Sequence, residues 1–192
     1  MVVVLCLGSP LGDHAQESVQ AVPGRNLYAA PDGAATNPGT KDRPLSLVAA
    51  LSEESVLRPG DTLWLRGGTY RGAFVSWLSG RTGAPITVRQ FPGERAVIDS
   101  APSSKSALSS MGSWTVFRDF EVTNSDTQRR SSEPGPWPTD LRRGSGVSTG
   151  GKRNQLINLV VHDLADGLGM FAESEGSSAY GNIVFNNGWA GP

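Results

Sequence analysis

The chain has 192 residues, a length typical of one domain that buries a substantial core. Its net charge of −1 and its 18% of charged residues argue against a disordered chain and against a nucleic-acid-binding protein that depends on a basic surface. No run of 18 apolar residues is present, so no transmembrane helix is predicted. The one cysteine, Cys6, excludes a disulfide framework and a cysteine-based zinc site.

Residues 1–25 differ from the rest of the chain. Residues 1–7 are apolar and are followed by polar residues, as in a secretory signal, but no Lys or Arg precedes Arg25. Two interpretations stay open for this segment, a degenerate signal and a disordered tail. Residues 26–192 are assigned to one domain, which the 24 glycines and 13 prolines of the chain predict to be rich in turns and strands.

The predicted elements of this domain are a loop, one helix and then only strands. Residues 26–43 are rich in Gly, Pro, Asp and Asn, which predicts a loop. Residues 45–56 have apolar residues at helical spacing, which predicts a short amphipathic helix. Strands without interleaved helices exclude a doubly wound α/β fold and leave a sandwich, a barrel or a β-solenoid. The predicted strands are residues 62–65, 73–75, 86–89, 96–98, 115–123, 155–161 and 182–185.

An internal repeat favours the solenoid. Residues 117–124, 156–163 and 180–187 align without gaps, with large apolar residues in three columns and Asp or Asn in two. The last two copies are 24 residues apart, and Val147 and Leu168 belong to a second pair that is 21 residues apart. Such a period, with strands and no helix, is the spacing of one turn of a parallel β-helix.

Equivalent residues of successive turns stack in columns in such a fold. Phe120, Leu159 and Ile183 are therefore expected to share one hydrophobic file. Asn and Asp tolerate the left-handed backbone conformation of sharp corners. The predicted corner column contains Asn124, Asp163 and Asn187.

A long insertion separates the first two copies of the repeat. Their 39-residue interval exceeds the later one by about 15 residues, which places the insertion within residues 125–143. Insertions on one face of a solenoid often form its binding surface, although a flexible charged loop is the alternative. Arginine binds carboxylates bidentately and tryptophan stacks on sugar rings, which predicts binding of an acidic polysaccharide. The candidate residues are Arg129, Arg130, Trp137, Arg142 and Arg143.

His162, Asp163 and Asp166 form the densest group of titratable residues. Two carboxylates beside a histidine suit acid and base catalysis of glycoside hydrolysis. With Glu173, the two carboxylates also suit a calcium site. The structural alternative places Asp163 at a corner and Asp166 in a turn. His162 is expected to point outward, because its neighbours along the strand occupy inward columns.

Five segments of the N-terminal half carry a resemblance to a known family. The chain resembles the entry region of bacterial right-handed parallel β-helix proteins that are related to pectate lyases, alginate lyases and chondroitinase B. The matching segments are residues 28–33 (YAAPDG), 37–40 (NPGT), 58–70 (RPGDTLWLRGGTY), 85–88 (PITV) and 91–94 (FPGE).

This resemblance implies an all-β fold, a right-handed parallel β-helix whose N-terminal end is capped by the predicted helix. The chain ends shortly after a coil, so we expect a C-terminally truncated solenoid. In the lyases that it resembles, the catalytic Lys and Arg and the calcium ligands lie on later coils. No catalytic role is therefore transferred to a residue of this chain.

The resemblance also implies an extracellular lyase that cleaves an acidic polysaccharide by β-elimination, with calcium or Arg neutralising a uronate carboxylate. We expect a secreted or cell-envelope protein that is a monomer at full length, with no nucleic acid as partner, and a 192-residue chain that is inactive alone. Two alternatives stay open: a non-catalytic carbohydrate-binding or cell-surface β-helix protein, and a glycoside hydrolase with paired Asp residues.

Overall fold

The computed structural model describes residues 24–135 and 138–191. Most of the predicted N-terminal segment, with Cys6, lies outside the described residues, and so does Trp137. The described part contains one helix, α1 (Leu47–Leu51). This helix is not long and apolar enough to cross a membrane.

Fifteen short strands make up the rest of the regular structure of the described residues. They are β1 (Asn26–Ala29), β2 (Thr62–Leu65), β3 (Gly68–Arg71), β4 (Phe74–Ser76), β5 (Ile86–Gln90), β6 (Ala96–Asp99), β7 (Leu108–Ser110), β8 (Thr115–Arg118), β9 (Glu121–Thr123), β10 (Val147–Thr149), β11 (Gln155–Ile157), β12 (Val160–His162), β13 (Leu168–Met170), β14 (Ser178–Tyr180) and β15 (Ile183–Phe185).

The strands form three parallel sheets that wind into a β-helix. Sheet A has the order β1-β2-β5-β8-β11-β14, sheet B the order β15-β12-β9-β6-β3, and sheet C the order β13-β10-β7-β4. Each complete turn of the chain contributes one strand to each sheet, and every ladder between named strands is parallel. The prediction of an all-β solenoid of stacked parallel coils is confirmed.

The core runs along the axis between the three sheets. Ile98, Val122 and Val161 lie opposite one another on adjacent strands of sheet B, and each is at most 1% exposed. Phe117 and Leu156 form a matching pair in sheet A and are fully buried. Because side chains alternate along a strand, each coil sends one set inward and the other to the outer face.

Sharp corners between sheets A and B divide two of the predicted strands. Residues 115–123 form β8 and β9, which are separated by Asp119 with a φ angle of +64°. Asn158 has a φ angle of +52° at the equivalent corner between β11 and β12. Asn and Asp reach the left-handed region at lower cost than other non-glycine residues, so these corners suit their sequence.

The sequence prediction places the third repeat one residue out of register with the structure. Leu156 pairs with Ala179 rather than with Tyr180, so the last coil is one residue shorter than predicted. Ile183 consequently pairs with Val160 and is 60% exposed, outside the hydrophobic file of Phe120 and Leu159.

The side-chain amide of Asn182 lies at the position predicted for Ile183. It accepts a hydrogen bond from the Leu159 backbone N–H (2.8 Å) and donates one to the Leu156 carbonyl (3.0 Å). The corner residue is likewise displaced, since the positive φ angle falls at Asn186 rather than at Asn187. Apolar residues at adjacent positions of this segment hide the slip in the sequence pattern.

The helix is shorter than the predicted range of 45–56. Ser46 caps its N-terminus by accepting a hydrogen bond from the Ala49 N–H (3.4 Å), and Ser52 ends it in an extended conformation. Its apolar face, with Leu47 and Leu51, is buried in the core beside β4 and agrees with the predicted cap. The sequence prediction missed several strands, such as β1, β7 and β13. These strands have only three or four residues, which is too short for a clear alternation of apolar and polar residues in the sequence.

We predict that Asn154→Ala destabilises the fold by about 2–4 kcal/mol. Asn154 is fully buried; it accepts a hydrogen bond from the Thr115 N–H (3.0 Å) and donates to the carbonyls of Gly112 (2.9 Å) and Gly151 (3.2 Å). The truncation leaves these buried backbone groups unpaired. Urea unfolding monitored by circular dichroism measures the change.

The exposed residue Asn26 provides the matched control. Its side chain accepts one hydrogen bond, from Trp64 Nε1 (2.8 Å), so Asn26→Ala is expected to cost less than about 1 kcal/mol. Equal losses in the two variants would contradict the role assigned to the buried amide.

Candidate functional site

The predicted insertion is a loop on the outside of the solenoid. Its described residues are 124–135 and 138–146, between β9 and β10, and we call it the insertion loop. The Ala190 N–H donates to the Arg129 carbonyl, and the Ser131 N–H donates to the Ala190 carbonyl, both at 2.9 Å. The loop therefore reaches past the coil that follows it and binds the segment after β15.

Arg143 fastens the insertion loop from inside. It is 5% exposed, and its guanidinium donates to the carbonyls of Asn124 (3.3 Å) and Gln128 (3.4 Å), and also to those of Asp126 and Asp163. Burial lowers the pKa of Arg143. The structure thus places this candidate binding residue in the interior of the loop, where its Nη1 and Nη2 groups donate to main-chain carbonyls.

Arg129 and Asp163 join the loop to the corner after β12. The Arg129 guanidinium donates to the Asp163 carboxylate and to the Asn186 carbonyl. Burial raises the pKa of Asp163, but hydrogen bonds from His162 and Arg129 and the positive charge of Arg129 lower it by more. Asp163 is therefore an ionised partner in a salt bridge, at a corner with a φ angle of +60°.

His162 lies between two carboxylates on the outer face of sheet B. Its Nδ1 is 2.7 Å from Asp163 Oδ2, and its Nε2 is 3.2 Å from Glu121 Oε1. The ring stacks on Phe185 with a centroid distance of 4.8 Å. His162 points outward beside Thr123, as predicted, but its side chain is only 18% exposed because Phe185 covers it.

The structure brings His162 and Asp163 together but leaves Asp166 and Glu173 apart from them. Asp166 is exposed and accepts a hydrogen bond from Ser145 (3.3 Å), and Glu173 lies in an exposed turn. Within residues 24–135 and 138–191, no three His, Cys, Asp or Glu side chains are placed to hold a metal ion. The calcium site suggested by the sequence stays a prediction.

Two clefts flank Trp189 where the insertion loop meets the end of the described chain. One has a volume of about 350 Å³ and is lined by Trp189, Ser145 and Asp166 among others. The second has a volume of about 230 Å³ and is lined by Trp189, Arg129 and Arg130. An aromatic ring and arginines thus lie together here.

Trp189 is the residue that sequence reasoning missed. It lies four residues after the end of β15, and its chemistry matches the role predicted for Trp137, but its position against the loop depends on the tertiary structure. Of the remaining candidates, Arg130 is exposed, and Arg142 is exposed and lies 3.4 Å from Asp126. Their binding roles stay predictions.

Residues 27–188 match the family described as the Pel9A-like, right-handed β-helix region. The chain belongs to this family. The match gives the hand of the solenoid and confirms the resemblance to pectate lyase-type β-helix proteins.

Relatives of the chain include named polysaccharide-degrading enzymes. The chain is 26% identical over 177 residues to pectate lyase L of Paenibacillus polymyxa, a match that covers 84% of this chain and 34% of the relative. The chain spans between 8% and 34% of the length of the curated relatives that it matches.

Solved structures share the fold. Pectate lyase Pel9A matches with a TM-score of 0.53 at 21% identity, over 85% of this chain and 48% of that structure. The lacto-N-biosidase of family GH136 from Eubacterium ramulus matches with a TM-score of 0.66 at 19% identity, over 84% of this chain and 34% of that structure. Identity this low supports a shared fold and says nothing of a shared reaction.

We predict that Asp163→Asn reduces the acid sensitivity of the fold. The lowered pKa means that ionised Asp163 adds stability above its unfolded pKa, about 3.9, and this contribution is lost as the pH falls through the folded pKa. The unmodified chain should therefore lose more unfolding free energy between about pH 7 and about pH 3 than the variant does. Chemical denaturation at both pH values measures this difference.

Asp166→Asn is the matched control, since this exposed carboxylate has a single hydrogen bond from a neutral hydroxyl. The unfolding free energy of this variant should change with pH by the same amount as that of the unmodified chain. The same pH dependence in all three proteins would rule out a stabilising role for the Arg129 and Asp163 pair.

Proposed function

We propose that the protein is an extracellular polysaccharide lyase, secreted or held in the cell envelope, that cleaves an acidic glycan by β-elimination. The similarity to pectate lyase L across 84% of the chain carries this proposal, within a family match that covers residues 27–188. The exposed Arg130 and the cleft beside Trp189 add a surface whose chemistry suits uronate sugars.

The reaction requires a base and a neutralised carboxylate. The base removes the ring proton next to the uronate carboxylate, and the C–H electron pair becomes a ring double bond. The glycosidic C–O bond breaks, its electron pair leaves with the oxygen, and that oxygen takes up a proton to become the hydroxyl of the new reducing end. Arg130 and Arg142 offer guanidinium groups that pair with carboxylates. We assign the base to no residue of this chain, because both ring nitrogens of His162 face carboxylates and Asp163 is held in an ion pair.

A hydrolase with paired Asp residues is less well supported. That mechanism needs one carboxylic acid that keeps its proton near neutral pH. The pKa of Asp163 is lowered rather than raised, so Asp163 does not suit the acid role. A non-catalytic binding protein would use the same surface without a base, and the product analysis below separates it from a lyase.

The test is to incubate the full-length protein, which we expect to be a monomer, with four substrates: polygalacturonate, rhamnogalacturonan, alginate and glycosaminoglycans. We expect new reducing ends together with the ultraviolet absorbance of an unsaturated sugar. Reducing ends without that absorbance would show hydrolysis, and binding without product would show a carbohydrate-binding protein; either result overturns the lyase proposal. The 192-residue chain alone is expected to show no turnover.

A matched pair of variants tests the insertion loop. Arg130→Ala in the full-length protein should weaken binding of the acidic substrate about fivefold, the upper range for one exposed charge pair. Arg81→Ala removes another exposed arginine, which lies on a different turn, and it should leave binding unchanged. Equal effects of the two variants would point to general charge attraction rather than to a loop site.

A further inference from the structure

A row of aromatic and cationic side chains lies on the outer face of sheet A, away from the insertion loop. Tyr28, Trp64 and Arg89 are direct partners on β1, β2 and β5. Their neighbours along the strands, including Leu63 and Val88, are buried in the core. The alternation of strand side chains therefore turns all three members of the row outward.

Phe91 lies at the centre of this face. Its ring centroid is 6.0 Å from that of Tyr28 and 5.8 Å from that of Trp64. Lys41 Nζ lies 5.0 Å from the Phe91 centroid, and the Arg66 guanidinium lies 5.3 Å from it. We call this group the aromatic–cation patch; its members are Tyr28, Lys41, Trp64, Arg66, Arg89 and Phe91.

The positive charge of the patch is only partly compensated. Arg66 is paired with Glu94 (2.9 Å), and Arg89 is paired with Asp119 (2.8 Å). Lys41 is exposed and takes part in none of the ion pairs that the described residues form. An anion that approaches this face therefore meets a cation without a bonded carboxylate.

The patch continues into a cleft that its cationic residues help to line. This cleft has a volume of about 600 Å³, within the range of small-molecule sites, and Lys41 and Arg66 belong both to its lining and to the patch. Arg95 also lines it, together with the carboxylates of Asp32, Asp42 and Glu94. The aromatic face thus adjoins a polar recess whose lining carries both signs of charge, with Lys41 and Arg66 shared between the two.

We propose that the aromatic–cation patch is a second glycan-binding surface, which takes a uronate-containing oligosaccharide with a sugar face on the aromatic rings and a carboxylate at Lys41. Aromatic rings suit the apolar faces of sugars, and cations suit uronate carboxylates. The nearly neutral net charge of the chain disfavours nucleic acid, which needs a broad basic surface. The choice of ligand class rests on the proposed function, whereas the patch lies apart from the insertion loop.

The test measures binding of the 192-residue chain to a short oligogalacturonate by isothermal titration calorimetry. Its methyl-esterified, uncharged counterpart serves as the reference ligand. We expect the acidic ligand to bind more tightly and its affinity to fall with added salt. Equal affinity for the two ligands, or no binding by the folded chain, would overturn the proposal.

Two variants locate the binding on the patch. Lys41→Ala should weaken binding about threefold to fivefold, and Phe91→Ala about tenfold, because the ring contacts both cations and both neighbouring aromatics. The matched controls are Lys152→Ala and Phe171→Ala, which remove an exposed lysine and an exposed phenylalanine near the other end of the solenoid. Thermal unfolding checks the fold of every variant. If Phe91→Ala is unfolded, the affinity of Lys41→Ala alone decides whether the patch binds the oligogalacturonate.

Loss of binding in the controls to the same extent as in the patch variants would overturn the assignment to this surface. The outcome is independent of the cleavage assay, since binding is measured on the chain that we expect to be inactive. A full-length protein that lacks lyase activity while this chain binds oligogalacturonate would refute the proposed function and leave the patch intact.

Discussion

Parallel pairing between successive coils is the constraint on which the rest of the structure depends. Each strand satisfies its backbone groups with the coils on either side, so residues at equivalent positions must lie above one another. The core file of Ile98, Val122 and Val161 follows directly from this pairing. A shift of one residue would turn every apolar side chain of a coil to the wrong face.

Side-chain amides maintain this pairing where the strands end. Asn154, Asn182 and Asn187 each accept a hydrogen bond from one backbone N–H and donate to a backbone carbonyl around the corners. Such corners leave backbone groups without strand partners, and an amide offers both a donor and an acceptor. The solenoid can therefore turn sharply and still carry the insertion loop without losing its stacking.

The same scaffold separates two polar surfaces. The insertion loop, with its ion pair between Arg129 and Asp163, covers the corner that follows sheet B, while the aromatic–cation patch occupies the outer face of sheet A. A polysaccharide is long enough to contact more than one surface of a protein, and a second contact raises the effective concentration of the chain at the first. With both proposed surfaces engaged, weak individual sugar contacts would suffice to retain a polymer.

The sequence by itself determined the class of fold, the spacing of the first two repeats and the position of the insertion, because buried columns and sharp corners restrict residue types at fixed intervals. The register of the last coil, the burial of Arg143 and the approach of Trp189 to the insertion loop were decided only by the tertiary structure. Those features depend on side-chain amides, carbonyls and loop segments that are distant in sequence. Periodicity reports which face of a strand is apolar, but it carries no information on which polar groups meet when the coils are stacked.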